Sequence, residues 1–281
     1  MTVAEAQNRC IETLLALYDP AEAANISKIL LEHITGLRLQ KSNQILKSNQ
    51  LEELSHLLQR LRSGEPIQYV TGRTWFYGLE LKTDRRALIP RPETEELVHV
   101  ILEKNPAKKP LRVLDIGTGT GCIAIALRSK RPLWEVWALE KNEDALALCM
   151  ENALALQIPV HGIQADILDA SEWGKLGQFD IIVSNPPYIC PSEKIYMSAQ
   201  VLDFEPHAAL FVPEADPFLF YKAIARFAAQ FLTTGGKVYF EINEFRAEAL
   251  GDILLSDFKR VELIPDLQGK MRMIEAENSV N

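Results

Sequence analysis

Apolar positions recur along this chain with two different periods, and the change of period divides it. Up to about residue 65 the spacing is helical. Ile11, Leu14, Leu15 and Tyr18 share a face before Pro20 ends the run. A second amphipathic stretch covers Ala23 to Ile34 and closes at Gly36. A third sets Leu51, Leu54, Leu57, Leu58 and Leu61 on one side, with Ser48 as its N-cap and Gly64 and Pro66 as its stop. The pattern predicts a small helical bundle over residues 1–68.

The character then shifts. Tyr69-Val70, Trp75-Phe76-Tyr77 and Leu79-Glu80-Leu81 are β-prone and broken by Gly72 and Gly78, which predicts a β-hairpin linker over 69–90. Ile89-Pro90-Arg91-Pro92 is a stiff extended piece, because each proline holds its predecessor out of the α region. Thr94 to Leu102 reads as a helix. From Leu111 onward strands and helices alternate. Strands are predicted at Arg112 to Asp115, Glu135 to Glu140, Val160 to Asp166, Phe179 to Ser184 and Lys237 to Ile242. Helices are predicted at Ile123 to Ser129, Glu143 to Leu156 and Leu219 to Leu232. Such alternation builds a parallel sheet covered by helices on both faces, an α/β domain over 91–281. Arg260 to Ile264 and Met271 to Ala276, joined through Gly269, predict an antiparallel finish.

Composition narrows the function classes. Apolar residues make up 47% of the 281 and charged residues 24%, an ordinary globular balance. No apolar run approaches the roughly 20 residues of a membrane span, and the first residues lack a signal-peptide pattern, so a cytoplasmic protein without membrane partners is expected. Four scattered cysteines without a C-x-x-C pair predict neither a disulfide framework nor a metal site. A net charge of −8 argues against stable free-standing nucleic-acid binding.

Candidate chemistry begins at Asp115-Ile116-Gly117-Thr118-Gly119-Thr120-Gly121, between a predicted strand and a predicted helix. Glycines at alternate positions let backbone turn tightly and lie against a ligand. Glu140 ends the next strand, where a carboxylate can accept both hydroxyls of a ribose. A dinucleotide would place its pyrophosphate on the helix N-terminus, but its fingerprint is G-x-G-x-x-G and Asp115 would repel it. S-adenosylmethionine fits better, since Asp115 can hold a cationic amino group. Asp166, at the end of the third predicted strand, can accept an adenine amine while Ile167 packs on the ring.

Ser184-Asn185-Pro186-Pro187-Tyr188 follows the fourth strand. Its prolines fix φ and remove two N–H donors, which leaves free carbonyls in a rigid frame. Asn185 adds a side-chain carbonyl and Tyr188 a flat face for stacking. Together they suit an –NH₂ on an sp² carbon. An amide nitrogen is a poor nucleophile because its lone pair is delocalised. Two acceptors on its two N–H bonds would aim that lone pair and stabilise positive charge growing on nitrogen.

The glycine loop, the acidic strand end and Asn-Pro-Pro-Tyr, in this order, resemble class I methyltransferases acting on amino groups of planar systems. Those include adenine methyltransferases of DNA and glutamine methyltransferases of proteins. Ile89-Pro90-Arg91-Pro92-Glu93-Thr94-Glu95-Glu96-Leu97 resembles the signature of the peptide chain release factor glutamine methyltransferases. Phe204-Glu205-Pro206 with Ala209-Leu210, and the closing Asp266-Leu267-Gln268-Gly269-Lys270-Met271-Arg272, are similar to the same family. The resemblance covers nearly the whole chain. It implies a Rossmann-like class I domain, with a mostly parallel sheet and an antiparallel last strand, behind a helical substrate-recognition domain.

It further implies that Gly117, Thr118, Gly119, Thr120, Gly121, Glu140, Ile167 and Asn185 bind S-adenosylmethionine. Asn185, Pro186, Pro187 and Tyr188 would hold the glutamine of a Gly-Gly-Gln motif in a class 1 release factor, with Asn185, Pro186 and Tyr188 catalytic. Other readings are a ribosomal-protein glutamine methyltransferase, an adenine methyltransferase, a non-catalytic cofactor-binding module and, against the glycine spacing, an NAD-dependent dehydrogenase. Ribosomal-protein enzymes usually carry Arg-Ser-Pro where this chain has Arg91-Pro92-Glu93. Two departures from the family stand out. Phe211 to Phe218 replaces a glycine-rich stretch. Glu241-Ile242-Asn243 replaces Glu-x-Gly, with Asn expected to keep a positive-φ turn.

Overall fold

A computed structural model describes residues 1–37 and 44–278. Residues 38–43, inside the predicted bundle, and 279–281, at the end of the predicted α/β domain, lie outside the described residues. In chain order the elements begin with helices α1 (Val3–Leu14), α2 (Pro20–Thr35), α3 (Ser48–Arg62) and α4 (Ile67–Thr71), then strands β1 (Arg73–Phe76) and β2 (Leu79–Lys82). Helix α5 (Pro92–Lys104), β3 (Arg112–Ile116), α6 (Cys122–Lys130), β4 (Glu135–Glu140), α7 (Glu143–Ala155), β5 (His161–Gln164) and β6 (Phe179–Ser184) follow. The chain continues through α8 (Ala199–Phe204), α9 (Leu219–Phe231), β7 (Leu232–Glu241), α10 (Ala247–Leu254), β8 (Arg260–Pro265) and β9 (Met271–Glu277).

The chain forms two compact units. One comprises Met1–Arg73 with Ser198–Phe204, and the other comprises Thr74–Met197 with Glu205–Asn281. In the helical unit, Thr2 and Glu5 form a reciprocal capping box that starts α1. Asp19 caps α2 and Gly36, at φ 69°, ends it. Pro20 is thus the first residue of a helix, where its missing N–H costs nothing. Ser48 is also the first helical residue, not the cap. Lys47 holds that place and its N–H donates to Gln50 Oε1 at 3.0 Å. The predicted faces meet in one core, with Cys10, Leu14, Leu30, Leu31 and Leu61 fully buried, except that Leu15 of the first face is 47% exposed.

Tyr69 and Val70, read from sequence as strand, lie in α4. Arg60 clasps that short helix, donating to the carbonyls of Tyr69 (3.0 Å) and Val70 (3.1 Å) while paired with Glu65 at 2.8 Å. Anchoring by a side chain of the preceding helix overrides local β-propensity here. The hairpin β1–β2 turns at Tyr77 (φ 51°) and Gly78 (φ 81°), two consecutive left-handed residues that match the twist of the strands.

The larger unit holds a seven-stranded sheet ordered β5-β4-β3-β6-β7-β9-β8. Pairings are parallel from β5 through β7, and β9 inserts antiparallel between β7 and β8. Apolar side chains of α5 and α6 cover one face, and those of α9 and α10 the other. Chain order reverses between β3 and β6. Ligands of open α/β sheets bind beyond strand ends at such a switch point. β5 stops at Gln164, so Asp166 stands two residues beyond the strand that it was expected to end. β7 begins at Leu232, earlier than expected, because it runs through Gly235 and Gly236.

Candidate active site

A cavity of about 460 Å³ opens at the switch point. Gly117 to Thr120, Glu140, Asp166, Ile167, Asn185, Pro186 and Pro187 line it. So do Ile89, Pro90, Arg91 and Thr94, to which sequence reasoning gave no role in the site. Gly121 and Tyr188 are not among its lining residues.

The loop after β3 takes positive φ at Gly117 (74°), Gly119 (55°) and Gly121 (82°). The three glycines have different neighbours. A Cβ at Gly117 would meet nothing within 4 Å, whereas one at Gly121 would stand 2.6 Å from Cys149 Sγ. Gly121 therefore permits close packing on α7, while Gly117 leaves open space in the cavity wall.

Asp115 is fully buried beneath this loop. Its Oδ2 accepts from the Thr118 hydroxyl (2.6 Å) and the Ala124 N–H (3.2 Å), and its Oδ1 has no partner. Burial pushes the carboxyl up to about 7, against the pull of Thr118 and Ala124. An orphaned buried acceptor under a glycine cradle fits a ligand that carries donors or positive charge.

Glu140 is tied into the same loop. Oε2 accepts from Gly119 N at 3.1 Å and Oε1 from Asn142 N at 3.0 Å. Asp166 has both oxygens engaged, by Leu168 N at 2.9 Å and by Lys141 Nζ at 2.8 Å. The neighbouring Ile167 is 6% exposed, and its carbonyl accepts from Trp173 Nε1.

Beyond β6, the Ser184 hydroxyl donates to the carbonyl of Ile116 at 2.7 Å, which joins the two loops at their roots. Asn185 Nδ2 donates to Thr94 Oγ1 at 3.2 Å, and Thr94 Oγ1 donates to Glu241 Oε2 at 2.6 Å. Tyr188 packs its ring against the core, with its hydroxyl 3.5 Å from Glu241 Oε1. Burial raises the Tyr188 hydroxyl well above its ordinary value and pushes the Glu241 carboxyl up to about 7. Sequence reasoning missed that Thr94 bonds Asn185 and, through its hydroxyl, Glu241. The local signs were Thr94 inside the Ile89–Leu97 signature and Glu241 in the family's Glu-x-Gly position.

Both departures from the family pattern have structural roles. Asn243 sits at φ −72°, so no positive-φ turn exists there. Its side chain instead caps the turn of Glu244–Arg246 and donates to Glu193 Oε1 at 3.3 Å. Ile189 pairs with Phe211, and Glu214 accepts from Ser192 at 2.7 Å, so the altered segment lies against the chain that leaves Tyr188.

Strand order, glycine loop and loop positions define a class I methyltransferase. Residues 94–204 match the methyltransferase small domain, and residues 5–72 match the PrmC N-terminal domain. A solved methyltransferase from Pyrococcus furiosus shares the fold with a TM-score of 0.52 at 18% identity, covering 83% of this chain and 100% of that one. The particular family is that of the release factor glutamine methyltransferases, to which this chain belongs. The member from Flavobacterium psychrophilum is 37% identical over 283 residues, which span 98% of this chain and 99% of that protein. The member from Lactococcus lactis is 41% identical over 272 residues, 95% of this chain and 98% of the other.

Proposed function

We propose that this protein methylates the side-chain amide nitrogen of the glutamine in the Gly-Gly-Gln motif of class 1 peptide chain release factors, working in the cytoplasm. Bound S-adenosylmethionine supplies an electrophilic methyl group on a sulfonium. Gly117 to Thr120 and Glu140 hold this cofactor, Glu140 through the ribose hydroxyls, with Ile167 against the adenine and Gly121 shaping the turn behind them. The unpartnered Asp115 Oδ1 supports the fit, because it offers negative potential beneath the loop.

The chemistry of the remaining residues is orientation. Asn185 Oδ1 and the Pro186 carbonyl accept the two N–H bonds of the target amide. That aims the nitrogen lone pair and stabilises the positive charge that develops there. Pro186 and Pro187 keep the frame rigid and Tyr188 backs it. No strong base is needed before transfer, since the methylated amide loses its extra proton readily. The helical unit grips the protein substrate.

One observation carries this reading. The Asn185 amide, anchored through Nδ2, shares a cavity with the glycine loop and Glu140. The test is transfer of labelled methyl from S-adenosylmethionine to three purified acceptors: a class 1 release factor, a ribosomal protein set and duplex DNA. Label in the release factor alone is expected. Label in either other acceptor and none in the release factor would overturn the reading.

A further inference from the structure

Glu241 ends β7 and is 3% exposed. Its carboxylate has no ion pair at hydrogen-bond distance among the described residues; its side-chain partners are the hydroxyls of Thr94 and Tyr188. Arg272 faces it only at longer range and is engaged by Glu244 (3.0 Å) and Asp266 (3.4 Å). A buried carboxylate held by neutral hydroxyls costs folding energy, so its retention beside a cavity calls for a use.

The hydrogen count supplies one. Thr94 Oγ1 carries a single hydrogen. When Glu241 is ionised, that hydrogen must point at Oε2, and Thr94 can only accept from its other neighbour. Asn185 must then present Nδ2 to Thr94, which leaves Oδ1 free. If Glu241 gains a proton, it can donate to Thr94, whose hydrogen then turns toward Asn185. The amide would rotate to answer it, and the acceptor would be withdrawn. We propose that Glu241 is a positioning residue: through Thr94, its carboxylate fixes the Asn185 amide with Nδ2 inward and Oδ1 presented to the target nitrogen. This inference rests on the acceptor role given to Asn185 above.

The charged and titratable groups facing Glu241 are Glu93 of α5, Tyr188 of the loop, Tyr221 of α9, Cys122 of α6 and Arg272 of β9. Burial outweighs the help of Thr94, Arg272 and Tyr188 and brings the carboxyl up to about 7. The anchored arrangement is therefore strengthened as pH rises through about 7 and weakened as it falls through the same range.

The experiment follows the side-chain amide of Asn185 in the full chain by ¹⁵N NMR, together with steady-state methylation of release factor. In the wild type the amide should be protected from solvent exchange and should titrate near pH 7. Thr94→Val should abolish the protection and lower kcat by about 10- to 100-fold, the scale for misplacing a reacting group. The KM for release factor and the cofactor affinity should hold. Thr94→Ser should restore both readouts, and Glu241→Gln should remove the titration. Unchanged amide protection in Thr94→Val, or the same titration in Glu241→Gln, would overturn the inference. The NMR arm decides this whether or not the wild type methylates release factor. Failure of wild-type methylation would count against the proposed function instead.

Discussion

Arg91 and Glu205 meet at 2.6 Å across 114 residues of sequence. The Glu205 side chain is only 1% exposed, and its second oxygen accepts from the N–H of Ile89 at 3.1 Å. This pair staples the Ile89–Leu97 signature to Glu205-Pro206, and so fixes one wall of the cavity. Arg91→Ala should strand a buried carboxylate. The expected loss is about 2–3 kcal/mol, below the roughly 3–5 kcal/mol of a fully buried pair because Arg91 is partly in water. Chemical denaturation checks this, and Arg91→Ala with Glu205→Gln should recover part of the loss. A loss within experimental error for Arg91→Ala would mean that water replaces the guanidinium freely.

The loop glycines should separate by role. Gly121→Ala combines a left-handed φ with a Cβ 2.6 Å from Cys149 Sγ. It should cost about 2–4 kcal/mol of stability from strain and overpacking. Gly117→Ala meets no atom within 4 Å. It should cost about 1–2 kcal/mol for backbone strain alone, yet weaken cofactor binding by narrowing the cavity. Denaturation and titration calorimetry on both variants distinguish the two losses. Equal stability losses would contradict the assignment.

Asp115 makes a signed prediction about pH. Its folded-state value is raised by burial from an ordinary carboxyl to about 7. Between those two values the folded state binds more protons than the unfolded chain, so this group lowers stability as pH rises through that window and adds no slope above it. Asp115→Asn removes the titration. The stability of wild type minus variant should therefore fall from about pH 4 to about pH 7 and then level off. A difference that rises with pH would show the carboxylate ionised and satisfied in the fold.

Much of this arrangement was legible in sequence because it is local. The glycine loop, Glu140 at a strand end and Asn185-Pro186-Pro187-Tyr188 each carry their chemistry within a few residues of a predicted strand terminus. The Thr94–Glu241 contact spans 147 residues. Nothing local distinguishes a threonine in the first turn of a helix from one bonded to a distant carboxylate. Tyr69 and Val70 misled for the converse reason: their β-propensity is real, but Arg60 holds them in a helix. Ser198–Phe204 belongs to the helical unit although it lies far along the chain. Its Gln200 donates to the Tyr18 hydroxyl at 3.1 Å, a pairing that periodicity cannot reveal.

The acceptor pair is tested at Asn185. Asn185→Ala removes one acceptor and should lower the single-turnover rate at saturating cofactor by about 10²–10³, with the fold intact. Tyr188→Phe should be mild, since the ring remains and the hydroxyl contact with Glu241 is long at 3.5 Å. Tyr188→Ala should hurt more. Near-normal turnover of Asn185→Ala on saturating release factor would require another means of orienting the amide.

The most direct test is tandem mass spectrometry of a purified class 1 release factor after incubation with this enzyme and isotopically labelled S-adenosylmethionine. A single labelled methyl group on the glutamine of the Gly-Gly-Gln peptide, located on its side-chain nitrogen, is the predicted result. An unmodified Gly-Gly-Gln peptide, or label on any other residue of the factor, would contradict the account.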